Sequence, residues 1–290
     1  MSDIKSIKIG DKKYPELLKN IYDAPKELFI KGDVELLSTR CMAIVGTRRP
    51  TWYGRETSRK LARELAEVGL TIVSGLAEGI DTEAHIGALE AGGKTIAVFG
   101  CGLDTVFPPS NKKLARKIES SGSLVSELPA EHPTTKWTFP KRNRIISGLS
   151  MGVLMVEGDY DSGAMITAKL ALDEGREVFA VPGNIDKEQS RGPNWLIKQG
   201  AKLIDNVDDI LDEFNIVRIE GGSRKDRSDA GQLTIEESGL LKLLTREPKH
   251  IDELVALSGR ETANVLGLLS IMEIKGLVRQ LPGMYFVISG

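Results

Sequence analysis

Residues 41–75 read CMAIVGTRRPTWYGRETSRKLARELAEVGLTIVSG. The apolar run MAIVG (42–46) is followed by SRKLARELAEVG (58–69). Its Leu61, Leu65 and Val68 share one face at helical spacing, and Gly69 stops the helix. The run LTIVSG (70–75) comes next. Strand, helix and strand in this order make a βαβ unit. Outward from it the pattern continues through TIAVFG (95–100), SLVSE (123–127), GVLMVEG (152–158) and VFAVPG (178–183). Most of these runs are nearly continuous and rich in β-branched residues, so both faces of their sheet should be covered. Helix-like stretches such as AMITAKLALDEG (164–175) lie between them. The expected fold class is α/β, an extended Rossmann-like, doubly wound, mostly parallel sheet that closes near LIDNVDDILDEF (203–214).

On either side the pattern changes. Residues 1–40 read as a short helical lead-in, with Leu17, Leu18 and Ile21 at helical spacing before Pro25 and Gly32. The first domain is expected over 41–216. VRIEGGSRKDRSDAGQ (217–232) lacks apolar periodicity and reads as a flexible linker. Residues 233–290 read as three helices and two strands, LVRQL and MYFVI, joined by Pro-Gly. That is the plan of a small winged-helix-like domain.

Composition narrows the function classes. The 290 residues carry 39 basic and 41 acidic side chains for a net charge of −2. Any nucleic-acid site must therefore be a local patch. Hydrophobic residues at 41% and charged residues at 28% are ordinary globular usage, which excludes global disorder. No apolar run reaches the roughly 18 residues of a membrane helix, and the N-terminus lacks a signal-like apolar segment. A soluble cytoplasmic protein without membrane insertion is expected. Cys41 and Cys101 sit beside apolar runs without CxxC spacing and read as buried thiols.

In doubly wound sheets, ligands bind beyond the carboxyl ends of the strands. Glycine-rich turns follow five of the runs: Gly46-Thr47-Arg48-Arg49-Pro50, Ser74 to Asp81, Gly100 to Asp104, Glu157-Gly158 leading to Ser162-Gly163, and Pro182-Gly183-Asn184. Such turns leave N–H groups free for anions. GxGxxG is absent after the first strand, which disfavours NAD, and no cofactor is called for. Gly87 to Thr95 only imitates a P-loop: its spacing is wrong and it precedes a strand. Gly148 to Gly152 spells GxSxG between a helix and a strand, where a nucleophile elbow cannot form. Asp81 and His85 fall on one helical face, a pair that reads as a cap and a surface contact rather than as metal ligands.

The segment KWTFPKRNRIIS (136–147) places Lys136, Lys141, Arg142 and Arg144 beside Trp137 and Phe139, with Asn143 among them. Cations oppose the dipole at a helix start, so an anionic partner is expected. Cations interleaved with rings suit a nucleic-acid strand.

These blocks carry a family likeness. GTR at 46–48, SGLAEGID at 74–81, GCGLDTVFPPSN at 100–111, FPKRNRIISGLS at 139–150, VEGDYDSGAMITA at 156–168, VPGNI at 181–185 and RGPNWLIKQGAKLI at 191–204 together resemble the DNA-processing protein A (DprA, or Smf) family. The likeness covers nearly all of 40–215. It implies a non-enzymatic protein that binds and protects single-stranded DNA in natural transformation, loads RecA recombinase onto it, and pairs into homodimers. Carried over by motif, the DNA site is Gly46, Thr47, Arg48, Phe139, Lys141, Arg142, Asn143 and Arg144. Lys136 is added by proximity, and Ser162 and Gly163 as backbone donors to a phosphate.

Two other readings compete. Rossmann-type nucleotide-binding enzymes resembling the nucleoside-monophosphate phosphoribohydrolases would use Glu157, or Asp81 with Glu78, as a base. The PGGxGTxxE pattern expected there is missing. A transcription regulator would use the winged helix to read duplex, but residues 233–290 hold six Lys/Arg against seven Asp/Glu. Duplex readers are normally basic.

Overall fold

The computed structural model describes residues 4–217, 234–245, 247–275 and 277–288. The chain divides into two compact units, 1–218 and 219–290. The first holds a nine-stranded sheet in the order β1-β2-β6-β5-β4-β3-β7-β8-β9. The six strands expected from sequence are β3 (Cys41–Val45), β4 (Thr71–Ser74), β5 (Thr95–Val98), β6 (Ser123–Ser126), β7 (Gly152–Met155) and β8 (Glu177–Ala180). They run parallel, with β9 (Lys202–Leu203) added at the far edge.

The alternation within β3 shows why the sheet is covered on both faces. Cys41, Ala43 and Val45 enter one core with Ile145, Ile146 and Leu149. Met42 and Ile44 enter the other, with Leu61, Leu65, Ile80 and Ala84. Successive strand side chains point to opposite faces, and here both faces are apolar.

The lead-in differs from expectation. β1 (Lys5–Lys8) and β2 (Glu27–Gly32) flank a one-turn helix, α1 (Glu16–Lys19). β2 pairs antiparallel with both β1 and β6, so this segment extends the sheet rather than preceding it. Pro15 sits at the N-cap of α1, which ends after one turn at Asn20. Leu28 and Ile30 are then buried at a spacing of two, the strand period, and the helical reading fails beyond one turn.

The helices are α2 (Trp52–Glu67), α3 (Ile80–Glu90), α4 (Lys112–Ser121), α5 (Thr138–Leu149), α6 (Gly163–Asp173), α7 (Arg191–Lys198) and α8 (Asp208–Glu213). Strand order reverses between β3 and β7, the switch point at which a crevice opens. The expected linker, 217–232, lies outside the described residues apart from Val217.

In the second unit α9 (Ile235–Leu241), α10 (Ile251–Ser258) and α11 (Thr262–Ile274) pack on a small sheet. Its strands are β10 (Lys249–His250), β11 (Val278–Leu281) and β12 (Tyr285–Ile288), in the order β10-β12-β11. Thr234 and Glu237 form a capping box on α9, and Gly259 ends α10 in the left-handed conformation. This is the winged-helix plan. Among the described residues, no helix is long and apolar enough to cross a membrane.

Candidate nucleic-acid interface

The turn after β3 is pinned by its neighbours. Thr47 donates its N–H to the Glu157 carbonyl at 2.7 Å, and its own carbonyl accepts from Ile80 N–H at 3.2 Å. A Cβ on Gly46 would lie 2.5 Å from Ile80 Cγ1, so only glycine lets α3 approach this closely. Arg48 and Arg49 project from the pinned turn and are exposed.

At the start of α5, the four expected free cations divide into two kinds. Lys136 and Lys141 are exposed. Arg142 is buried, with its guanidinium Nη1 donating to Gly75 O at 2.7 Å and also to Val98 O. It thereby ties α5 to the carboxyl ends of β4 and β5. Burial pulls its pKa down to about 10, opposed by the nearby Asp81, so it stays charged at neutral pH. Arg144 is buried too, donating from Nε to Asp23 Oδ2 at 2.9 Å and from Nη2 to Glu127 Oε2 at 2.6 Å. The expectation of an uncompensated basic helix start is therefore corrected: the fold buries Arg142 against strand carbonyls and Arg144 between two carboxylates, and Lys141 also lies near Glu127.

Asn143 links α5 to α6, donating from Nδ2 to Gly163 O at 3.1 Å and accepting from Arg142 Nε at 3.3 Å. Ser162 caps α6, its hydroxyl accepting from Met165 N–H at 3.3 Å, and Gly163 is exposed beside it.

These elements enclose a cavity of about 710 Å³. Gly46, Thr47, Arg48, Lys136, Phe139, Arg142, Asn143, Ser162 and Gly163 line it. Lys141 and Arg144 do not: Lys141 Nζ lies 3.8 Å from Glu127 Oε2 instead. The Arg48 and Arg142 guanidinium carbons each sit 6.0 Å from the Phe139 ring centroid. Lys136 Nζ sits 5.1 Å from the Trp137 ring, which is 76% exposed. Arg49 of the first rim turn lines the cavity too, and sequence reasoning missed Phe107, Thr134, Thr135, Ile166 and Thr167, which also line it. Phe107 lies in the FPPS stretch after β5, so reading that rim turn past Asp104 would have found it.

The residues set aside or assigned to rival chemistry have partners of their own. Asp81 Oδ2 accepts from the N–H groups of Gly75 at 3.1 Å and Ala77 at 3.3 Å. His85 is fully buried with Nδ1 2.7 Å from Thr95 Oγ1, and burial lowers its pKa to about 3. The pair thus turns to different partners. Ser150 donates to Ile146 O at 2.8 Å within a buried helix end. Glu157, 3% exposed, spends both carboxylate oxygens on Thr51 at the start of α2. In nucleotide-binding proteins of doubly wound architecture, a phosphate commonly sits at that helix N-terminus. Here a protein carboxylate occupies it.

A family model for DNA recombination-mediator protein A matches residues 5–215, and one for the DprA winged helix domain matches residues 224–284. The chain belongs to the DprA/Smf family. It is 49% identical over 212 residues to the DNA processing protein DprA of Bacillus subtilis, covering 73% of this chain and 71% of that one. It is 40% identical over 277 residues to Protein Smf of Escherichia coli, covering 94% and 74%. Its fold is similar to the crystal structure of DprA from Streptococcus pneumoniae, with a TM-score of 0.71, 45% identity, and 73% and 74% of the two chains covered. DprA from Helicobacter pylori aligns with a TM-score of 0.67 at 34% identity, covering 74% of this chain and 96% of that one. That structure concerns the single-stranded DNA binding mode of the H. pylori protein. A DNA-processing, recombination-mediator protein is thus the class to which the cavity belongs.

Proposed function

We propose that this protein binds single-stranded DNA in the cavity at the β3/β7 switch point, protects it, and helps load RecA recombinase onto it in the cytoplasm as a binding protein, not an enzyme. One observation carries the reading. The exposed cations Arg48 and Lys136 meet the rings of Phe107 and Phe139 on one cavity of about 710 Å³. Cations there release counterions from phosphates, rings stack on unpaired bases, and base identity contributes little to that step. The H. pylori relative, whose structure concerns its single-stranded DNA binding mode, supports the same reading.

We further propose a homodimer built on the free edge of the sheet. β9 ends the sheet with an open ladder, and Leu203 on it is 45% exposed. Leu203 thus offers apolar surface at the end of the sheet for a second copy to cover. Light scattering on wild type and Leu203→Arg tests this: a dimer that the substitution leaves intact would refute it.

The main test is fluorescence anisotropy with labelled single strand and duplex across a salt series, on wild type and Arg48→Ala/Lys136→Ala. Strong, salt-sensitive single-strand binding that the double variant loses is expected. Binding indifferent to both residues would overturn the proposal.

A further inference from the structure

A second basic surface lies outside the cavity, on α4 (Lys112–Ser121). Lys112, Lys113, Arg116 and Lys117 are exposed on it, while Ala115 and Ile118 are buried with Ala97 and Leu124 of the sheet. At 3.6 residues per turn the four cations cover one outward face about 140° wide. Among the described residues, none of the four forms an ion pair. Glu119, the single acid of the helix, is half-buried and already has a partner. The same fold pairs arginines elsewhere on its surface: on α2, Arg59 and Arg63 both meet Glu90. The start of α4 also has no acid in its first turn and no side-chain cap. Lys112 and Lys113 therefore stand against the positive end of the helix dipole, and Arg116 and Lys117 crowd them one turn on. An anion from outside the chain is left to offset this charge.

The place of α4 in the fold says which anion. Asn111, the residue before it, donates from Nδ2 to Leu76 O at 2.8 Å and to Thr82 Oγ1 at 2.9 Å. That ties the helix start to the turn after β4. Ala77 of the same turn lines the main cavity, as does Phe107, which precedes α4 in the chain. The cations thus begin at the rim of the cavity and run away from it along α4, over about 7 Å at 1.5 Å per residue. Their face carries no aromatic ring. It offers charge to phosphates and nothing on which a base could stack.

We propose that α4 is a second contact for the bound strand. It holds the sugar–phosphate backbone of the segment leaving the cavity by charge alone, with the bases turned outward and unread. This rests on the single-strand reading above and extends the site beyond the cavity.

The test is anisotropy on the full-length chain across a salt series with three strands: six dT, eighteen dT, and six dT flanked on each side by six abasic residues. Wild type is compared with Lys112→Gln/Lys113→Gln/Arg116→Gln/Lys117→Gln. This variant should keep the helix, because all four side chains are exposed and glutamine is a good helix former. On wild type, both long strands should bind more tightly than six dT and with a steeper salt dependence. Each cation–phosphate pair adds about 0.7 to the slope of log affinity against log salt, so the variant should lose about 2–3 from the slope on either long strand and nothing on six dT. A slope on eighteen dT that the variant leaves unchanged would overturn the proposal and leave α4 to an acidic protein surface. An abasic-flanked strand no tighter than six dT would also overturn it, since the added affinity would then come from bases. Equal weakening of six dT and the long strands would place the four cations at the cavity and remove the separate contact. If eighteen dT binds and only the α4 effect is missing, the single-strand reading stands. If no strand binds wild type, both fail.

Discussion

Glu157 holds Thr51 with both carboxylate oxygens: Oε2 accepts from the Thr51 N–H at 2.8 Å and Oε1 from its hydroxyl at 2.5 Å. One residue from β7's end thereby closes the N-terminus of α2, the position at which this architecture otherwise seats a phosphate. Gly54 makes the contact possible, because a Cβ there would collide with the Glu157 carboxylate. Glu157→Ala is expected to lower stability by about 1–3 kcal/mol, as a buried cap is removed and two donors lose their acceptor. Urea unfolding checks this. A change under about 0.5 kcal/mol would show that water replaces the carboxylate without cost.

Arg142 and Lys136 should behave differently when replaced, although both line the cavity. Arg142→Ala strands the Gly75 and Val98 carbonyls and leaves Asp81 buried without its nearby cation. A loss of about 2–4 kcal/mol in unfolding free energy is expected, because two buried carbonyls lose their donor. Lys136→Ala should leave the urea midpoint unchanged within about 0.5 kcal/mol, since its side chain is exposed.

Lys141 should matter less to DNA than Lys136. Lys141 lies 57% exposed near Glu127 and does not line the cavity. Removing a cation that neutralises one phosphate reduces the slope of log affinity against log salt by about 0.7 for a single strand. Lys136→Ala should show that reduction and Lys141→Ala should not. Equal slopes for the two variants would move the strand path toward Glu127.

Glu174 gives stability a defined pH dependence. Burial pushes its carboxyl up to about 7, against the opposing pull of Arg176 and Arg144. A carboxyl raised in the folded state favours folding while protonated. Its contribution is complete below the ordinary value near 4.5 and is lost as pH rises through about 7. The group retains solvent access, so the loss is on the order of 1–2 kcal/mol. Glu174→Gln should flatten the urea midpoint between pH 5 and 8. An unchanged slope would mean that Arg176 and Arg144 keep Glu174 ionised throughout.

The winged-helix unit should contribute little to single-strand affinity. Its helix α11 (Thr262–Ile274) contains no lysine or arginine. Lys275 is held by Glu237 at 2.7 Å and Arg260 lies 3.6 Å from Glu236. Deleting residues 233–290 should leave affinity within about threefold, because cation–phosphate pairing in the first unit sets most of it. A larger loss in the anisotropy titration would assign that unit a direct role.

Much of this was legible in the sequence because it depends on local order. Continuous apolar runs at 42–46, 70–75, 95–100, 123–127, 152–158 and 178–183 demand a sheet covered on both faces, and a glycine-rich turn after a parallel strand lies on its carboxyl rim. GTR at 46–48 and FPKRNR at 139–144 could thus be expected on one rim without coordinates, although Lys141 and Arg144 turn away from the cavity. Tertiary structure alone decided which way each side chain turns. Sequence shows four cations in nine residues; packing directs Arg142 to strand carbonyls and Arg144 to Asp23 and Glu127, leaving Lys136 to the cavity. Sequence likewise shows an isolated LFIKG in a helical lead-in, yet it becomes β2, because β1 on one side and the edge of β6 on the other offer its backbone partners. Hydrogen-bond partners 67 or 121 residues away, as for Arg142 with Gly75 and Arg144 with Asp23, leave no trace in local spacing. They exist only once the chain has folded.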